Sequence, residues 1–202
     1  MKLYYSPGTC ALLPHIVLKE LGLTASLSKV DLASKKTDDG QNYFDVNPNG
    51  YVPALQLDNG KVLTEANIIA QYLADQKPGN TLLPAAGQFE RYQQQEWLNF
   101  ITSEVHKTMG AFFNPKLHPE TRAALSERLG QRLNYIVSKL GSNDWLTGSH
   151  FTIADAYLFV VLNWCGWVKF DLTPWPALQA FQQRVAARAA VQAAMAEEGI
   201  GK

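Results

Sequence analysis

Cysteine is scarce: of 202 residues only Cys10 and Cys165 carry a thiol. Two thiols so far apart in the chain do not make a disulfide framework. Excess charge is also missing, since 18 Lys and Arg face 18 Asp and Glu. There is therefore no basic field of the kind nucleic acid requires. Long apolar runs are lacking too. The most apolar stretch, Ala156 to Val168, contains Asn163 and Gly166 and is too short to span a bilayer. The opening Lys2-Leu3-Tyr4-Tyr5-Ser6-Pro7 has no sustained apolar segment of the secretory type. His15, His118 and His150 show no metal-like spacing with each other or with carboxylates. The expectation is a soluble, cytoplasmic protein with no metal, no nucleic-acid partner and no membrane partner.

What is present fits one large domain or two small ones. Lys2 to Tyr5 reads as a strand, and Cys10 to Leu21 as a helix stopped at Gly22. Ser26 to Asp31 alternates as a second strand. Ala54 to Leu57 and Lys61 to Leu63 are strands joined at Asp58-Asn59-Gly60, a strong hairpin signal. A helix from Glu65 to Asp75 closes this half. The order βαβ, short helix, ββα predicts a thioredoxin-like domain over residues 1–78. Lys77-Pro78-Gly79-Asn80 through Gly87 has linker composition. Residues 87–202 then read as all-helical, with helices from about Phe89 past Met109, Pro119 to Leu140, from Thr152, from Pro174-Trp175-Pro176, and Ala186 to Glu198. Thr152-Ile153-Ala154-Asp155 is a capping-box variant, structural in role.

Three places could carry chemistry. In Asn47-Pro48-Asn49-Gly50-Tyr51-Val52-Pro53 the last proline stands at the mouth of a strand and is a candidate cis bond. A cis bond there would turn the Val52 N–H and C=O outward, toward the backbone of a bound peptide. A few residues on, the helix opened by Thr64-Glu65 offers unpaired N–H groups, a positive dipole end and a carboxylate. The N–H groups suit a carboxylate and Glu65 an ammonium, as in the α-amino-acid end of a small peptide. Cys10 follows a turn and opens a helix, where the dipole favours thiolate; a small buried hydrophobe is the alternative. Cys165 falls in an apolar helix and reads as core. On the long helix Asn99, Ser103 and His106 are spaced i, i+4, i+7 and should share one face, apart from Trp97, Ile101, Val105 and Phe112. Such a stripe is ordinarily solvated surface, although a histidine can exchange a hydrogen bond with a thiol near neutral pH.

The segment 47–73, together with Tyr4-Tyr5-Ser6-Pro7-Gly8-Thr9-Cys10, Glu96-Trp97-Leu98-Asn99 and Glu104-Val105-His106-Lys107, resembles the cytosolic glutathione transferases, in particular the bacterial beta class. The resemblance covers nearly the whole chain. It implies glutathione as co-substrate, attached to a small apolar electrophile for detoxification. It also implies that Cys10 faces the glutathione sulfur and can form a mixed disulfide with it. By the same resemblance the glutathione site takes in Cys10, Lys35, Val52, Glu65, Ala66, Asn99, Ser103, Glu104, Val105 and His106. Cys10 and His106 stand near the sulfur, and Ser103 and Glu104 reach over from the partner of a homodimer. Tyr5 or Ser6 would replace Cys10 in other classes. The sequence departs from the beta pattern at Ala11, Tyr51 and Asn67, which bears on affinity and substrate preference. Phe112, Phe113, Trp164 and Trp167 are expected walls of the electrophile pocket. A glutathione-dependent thiol–disulfide reductase or peroxidase using Cys10 is the alternative enzyme, though no Cys-x-x-Cys pair is present. A non-catalytic ligand- or partner-binding protein of the same fold would not need Cys10, Val52, Glu65 and His106 together.

Overall fold

The computed structural model describes residues 1–200. The chain divides into two compact units, one holding Met1–Asn80 and the residues from Ala187 on, the other Thr81–Ala186.

In the first unit the central strand is β1 (Lys2–Tyr5), parallel to β2 (Ser26–Asp31) and antiparallel to β4 (Ala54–Gln56). A two-residue strand β3 (Lys36–Thr37), absent from the expected order, pairs with the outer side of β2; β5 (Val62–Thr64) pairs with β4. The sheet order is β3-β2-β1-β4-β5. Leu3 pairs with Leu27 on one side and Leu55 on the other and is fully buried, which puts a leucine layer across the middle of the sheet. Helix α1 (Leu12–Leu21) buries Leu12, Leu13 and Ile16. It ends at Gly22, whose φ of 63° lets its N–H reach the carbonyls of Leu18 and Lys19. The β4–β5 hairpin closes as expected, with Leu57 N–H donating to Lys61 O at 2.8 Å. Helix α2 (Ala66–Asp75) packs on α1 and buries Ile69, Ala70 and Leu73. This is the expected thioredoxin-like arrangement.

The second unit is helical. Its first helix runs from α3 (Phe89–Phe100) through a π-helical segment, Ile101–His106, into α4 (Lys107–Ala111). The Lys107 N–H reaches back to Thr102 O, the i→i−5 pattern of a π turn. Helix α5 (Pro119–Leu140) buries Leu129, Leu133 and Ile136. Helix α6 (Ile153–Val168) is buried on nearly every side, as its continuous apolar sequence demands. Its start is tied down by Asp155: Oδ2 accepts from Thr152 N–H at 2.9 Å and Thr152 Oγ1 at 2.7 Å, and Oδ1 from Leu146 N–H at 2.8 Å. Helix α7 (Pro176–Ala186) completes the unit. Among the described residues no helix is long and apolar enough to cross a membrane.

The last helix, α8 (Ala189–Glu197), packs on α1 and falls with the first unit, so the compact units do not coincide with the expected helical span 87–202. Val191 and Ala194 are fully buried on it, and charge pairs flank the contact. Arg188 grips Glu20 with two bonds of 2.6 and 2.9 Å, and Lys19 meets Glu197 at 2.5 Å.

Candidate functional site

The turn that carries Cys10 begins at the end of β1. Thr9 N–H and Oγ1 both donate to Ser6 O, at 3.2 and 2.7 Å, and Leu13 N–H then picks up Cys10 O at 3.1 Å. Cys10 therefore sits just ahead of α1, half-buried, with its thiol donating to Val52 O at 3.4 Å. Cys165 is buried, and burial pushes its thiol up to about 12. Tyr5 is buried, and its hydroxyl is held above the usual phenol value by that burial and then by the negative charge of Glu198.

Val52 comes to Cys10 on a loop fixed from behind. Tyr51 O accepts from Tyr43 Oη at 2.8 Å and from Asn47 Nδ2 at 2.7 Å. Lys35 Nζ donates to Gly50 O at 2.8 Å, and Gly50 has a φ of 66° with the Phe44 ring against its Cα. The Val52–Pro53 bond is cis. The Tyr51 side chain is exposed.

Glu65 stands at the head of α2, exposed, with φ 69° and ψ 114°, a conformation that non-glycine residues rarely hold. Its carbonyl accepts from Ile68 and Ile69 N–H at 3.0 and 2.9 Å, and no side chain caps the helix. The Ala66 N–H is one of the orphan donors of such a start. The first unit thus collects Cys10, Lys35 and Val52 around one loop and gives Glu65 and Ala66 an open helix end.

The residues expected on the long helix are arranged differently. The stripe Asn99, Ser103, His106 assumed α-helical spacing, but Ile101–His106 is π-helical, so the i, i+4, i+7 count does not carry through to His106. Asn99 and Ser103 are exposed, and Ser103 Oγ donates to Asn99 O at 3.0 Å. Glu104 Oε2 accepts from Arg132 Nε at 2.6 Å and Arg128 at 3.0 Å, which hold its carboxyl below the usual range. Val105 is fully buried in the helical core. His106 lies against α6, with Nδ1 at 2.7 Å from Tyr157 Oη and its ring edge-on to Trp164, centroids 4.8 Å apart. Burial, then the Lys107 charge, lowers its pKa to about 4, so the imidazole is neutral at physiological pH.

Three of the four expected aromatic walls form one group beside His106: Phe113 lies edge-on to Trp164 at 5.8 Å and to Trp167 at 6.5 Å. Phe112 turns away, stacking on Phe170 under Arg122. Sequence reasoning missed Tyr157, the clamp of Tyr43 and Asn47 on Tyr51, and the arginine pair on Glu104. Only Asn47, in an Asn-Pro-Asn-Gly turn, had a local signal. Among the described residues no cluster of three or more histidine, cysteine or acidic side chains is placed to hold a metal ion.

Residues 9–76 match the model of the glutathione S-transferase N-terminal domain, and residues 100–189 that of the C-terminal domain. The chain is 44% identical over 200 residues to glutathione S-transferase GstA of Escherichia coli O157:H7, covering 99% of this chain and 100% of the relative. It is 55% identical to BphK, a bacterial glutathione transferase solved in a ternary complex, with a TM-score of 0.97 over 99% of this chain and 100% of that one. A sphingomonad glutathione S-transferase solved with glutathione is 43% identical, with a TM-score of 0.94 over the whole of both chains. The chain belongs to the glutathione S-transferase family of enzymes. Beta-class chains are among its structural relatives, which bears out the class read from the sequence.

Proposed function

We propose that this protein transfers glutathione to a small apolar electrophile, and that the first unit holds the tripeptide. The observation that carries this reading is the open, uncapped start of α2, with Glu65 at its head in the same unit as Val52 and Cys10. The Val52 backbone pairs with the peptide, the Ala66 N–H takes the α-carboxylate of the γ-glutamyl end, and Glu65 takes its ammonium. Lys35 serves the glycine carboxylate. Cys10 faces the glutathione sulfur, and the resemblance to the beta class adds Asn99, Ser103, Glu104, Val105 and His106 to the glutathione contacts, with the buried Val105 offering only its backbone.

In the reaction the thiol loses its proton, the thiolate attacks an electrophilic carbon, and a thioether forms as the leaving group departs with its electron pair. The protein's contribution is to hold the thiolate form and position it, since a thiolate is already a strong nucleophile. A neutral His106 serves by hydrogen bonding rather than by charge. Phe113, Trp164 and Trp167 supply apolar surface for the acceptor. The protein works as a cytoplasmic homodimer without a metal cofactor. Glu104, tied to Arg128 and Arg132, reaches a neighbour's ligand only by giving up part of that pairing.

Turnover of glutathione with an aryl halide tests the activity. Conjugation by the wild type that falls in Glu65→Ala supports the reading, and a wild type with no conjugating activity toward any electrophile overturns it. Sedimentation showing only monomer at assay concentration, with activity intact, overturns the dimer. A second reading, glutathione-dependent disulfide exchange at Cys10, is favoured by its half-buried place ahead of α1. Mass spectrometry after incubation with oxidised glutathione should put the adduct on Cys10.

A further inference from the structure

The segment that returns from the end of the chain to α1 brings a buried carboxylate with it. Glu198 has a side chain with 0% exposure and lies just past α8. Its Oε2 accepts from the Gly8 N–H at 2.8 Å, and its Oε1 is 3.0 Å from His15 Nδ1. His15 is itself buried at 1%, and its other nitrogen lies 3.0 Å from Glu197 Oε2. Burying a carboxylate is costly unless hydrogen bonds replace its water. Here a backbone donor from the β1–α1 turn and the α1 histidine do so.

The place of that backbone donor gives the arrangement its consequence. Gly8 is two residues before Cys10 and has a φ of 70°, so the turn is built on a backbone conformation that glycine alone holds easily. Ala11, at the cap position of α1, has no capping side chain, and Thr9 Oγ1 accepts from its N–H only at 3.4 Å. Glu198 supplies an acceptor to this turn from 190 residues away. Its charge is also felt at Tyr5, the last residue of β1.

We infer that Glu198 is a positioning residue for the thiol turn: its buried carboxylate holds Gly8 and thereby fixes the stance of Cys10. The order of the reactive turn then depends on the segment around Glu198, and loosening it alters the thiol without touching it. This goes beyond the proposed conjugation, and its test uses no glutathione.

The test compares Glu198→Ala and Glu198→Gln in a Cys165→Ala background. Gly8 amide exchange is followed by NMR and the alkylation rate of Cys10 by iodoacetamide. Glu198→Ala should speed Gly8 exchange by about tenfold or more, the factor that goes with losing one such hydrogen bond, and shift the Cys10 rate by at least about threefold. Glu198→Gln keeps an amide oxygen for Gly8, so its exchange should stay near wild type. Arg188→Ala breaks the Glu20 pair on the same returning segment and controls for general loosening. It should lower the thermal midpoint yet leave both rates in place. If Glu198→Ala does not fold, Glu198→Asp, one methylene too short to bridge Gly8 and His15, carries the same comparison. Unchanged Gly8 exchange and Cys10 rate in the bridging-deficient variant would overturn the inference. So would equal changes in Arg188→Ala.

Discussion

At the start of α6, Asp155 is fully buried and accepts from Thr152 and Leu146, so its carboxylate closes the turn completely. At the start of α2, Glu65 is exposed, holds a positive φ, and leaves the turn without a side-chain cap. Both helices present the same orphan N–H groups and the same dipole. One start uses its acid to finish the fold. The other leaves its acid and donors open, at a cost in local strain.

Asp155→Ala should give the largest effect in this comparison. It leaves two buried backbone donors and a hydroxyl unpaired, for a loss of about 3 kcal/mol or more in urea unfolding, with glutathione affinity of the folded protein unchanged. A loss under about 1 kcal/mol would mean that the closed start contributes little. Burial raises the Asp155 carboxyl to about 6 despite its hydrogen bonds. A raised acid contributes stability at low pH that is lost as pH climbs through that value. Relative to Asp155→Asn, the wild type should therefore lose stability between about pH 4 and pH 6.

His106 supplies the opposite slope. Its pKa lies near 4, well under the ordinary 6.5, because burial disfavours the imidazolium. The stability it contributes is present above about pH 6.5 and is lost as pH falls toward 4. His106→Gln should flatten that part of the pH–stability curve. An unchanged acid limb would remove the histidine from the account.

Glu65→Gly sharpens the comparison, because its two readouts should move in opposite directions. Glycine relieves the positive φ, so stability should rise by about 1 kcal/mol, while glutathione binding weakens. A fall in both would show Glu65 to be a structural cap like Asp155. The smallest expected effect, in free energy, concerns the thiols. Iodoacetamide should modify Cys10 in the native protein and leave Cys165, whose thiol burial raises to about 12, untouched.

These contrasts were unevenly legible in the sequence. Thr152-Ile153-Ala154-Asp155 and Asp58-Asn59-Gly60 announce their structures because capping and hairpin turns are local chemistry. Tyr51-Val52-Pro53 and Glu65 were readable for the same reason. The π turn at Ile101–His106 has no such local signature. Straight α-helical counting therefore put His106 in line with Asn99 and Ser103, when it lies against Tyr157 and Trp164. The return of α8 to α1 was hidden for a different reason. His15 meets Glu197 and Glu198 from 182 and 183 residues away, and no periodicity reports a pair at that range. The partners of Glu104 were hidden in the same way, because Arg128 and Arg132 lie a whole helix further on.

Calorimetric titration of wild type and Glu65→Ala with glutathione, on samples matched for folded fraction, bears most directly on the open helix start. On the proposed assignment, removing the carboxylate takes away the partner of the ligand's ammonium. The affinity should fall by about 1.5–3 kcal/mol, roughly 10- to 150-fold, with the unfolding midpoint within experimental error of wild type or above it. Equal affinity for the two proteins would contradict the assignment of Glu65 and return the open start of α2 to a question of folding alone.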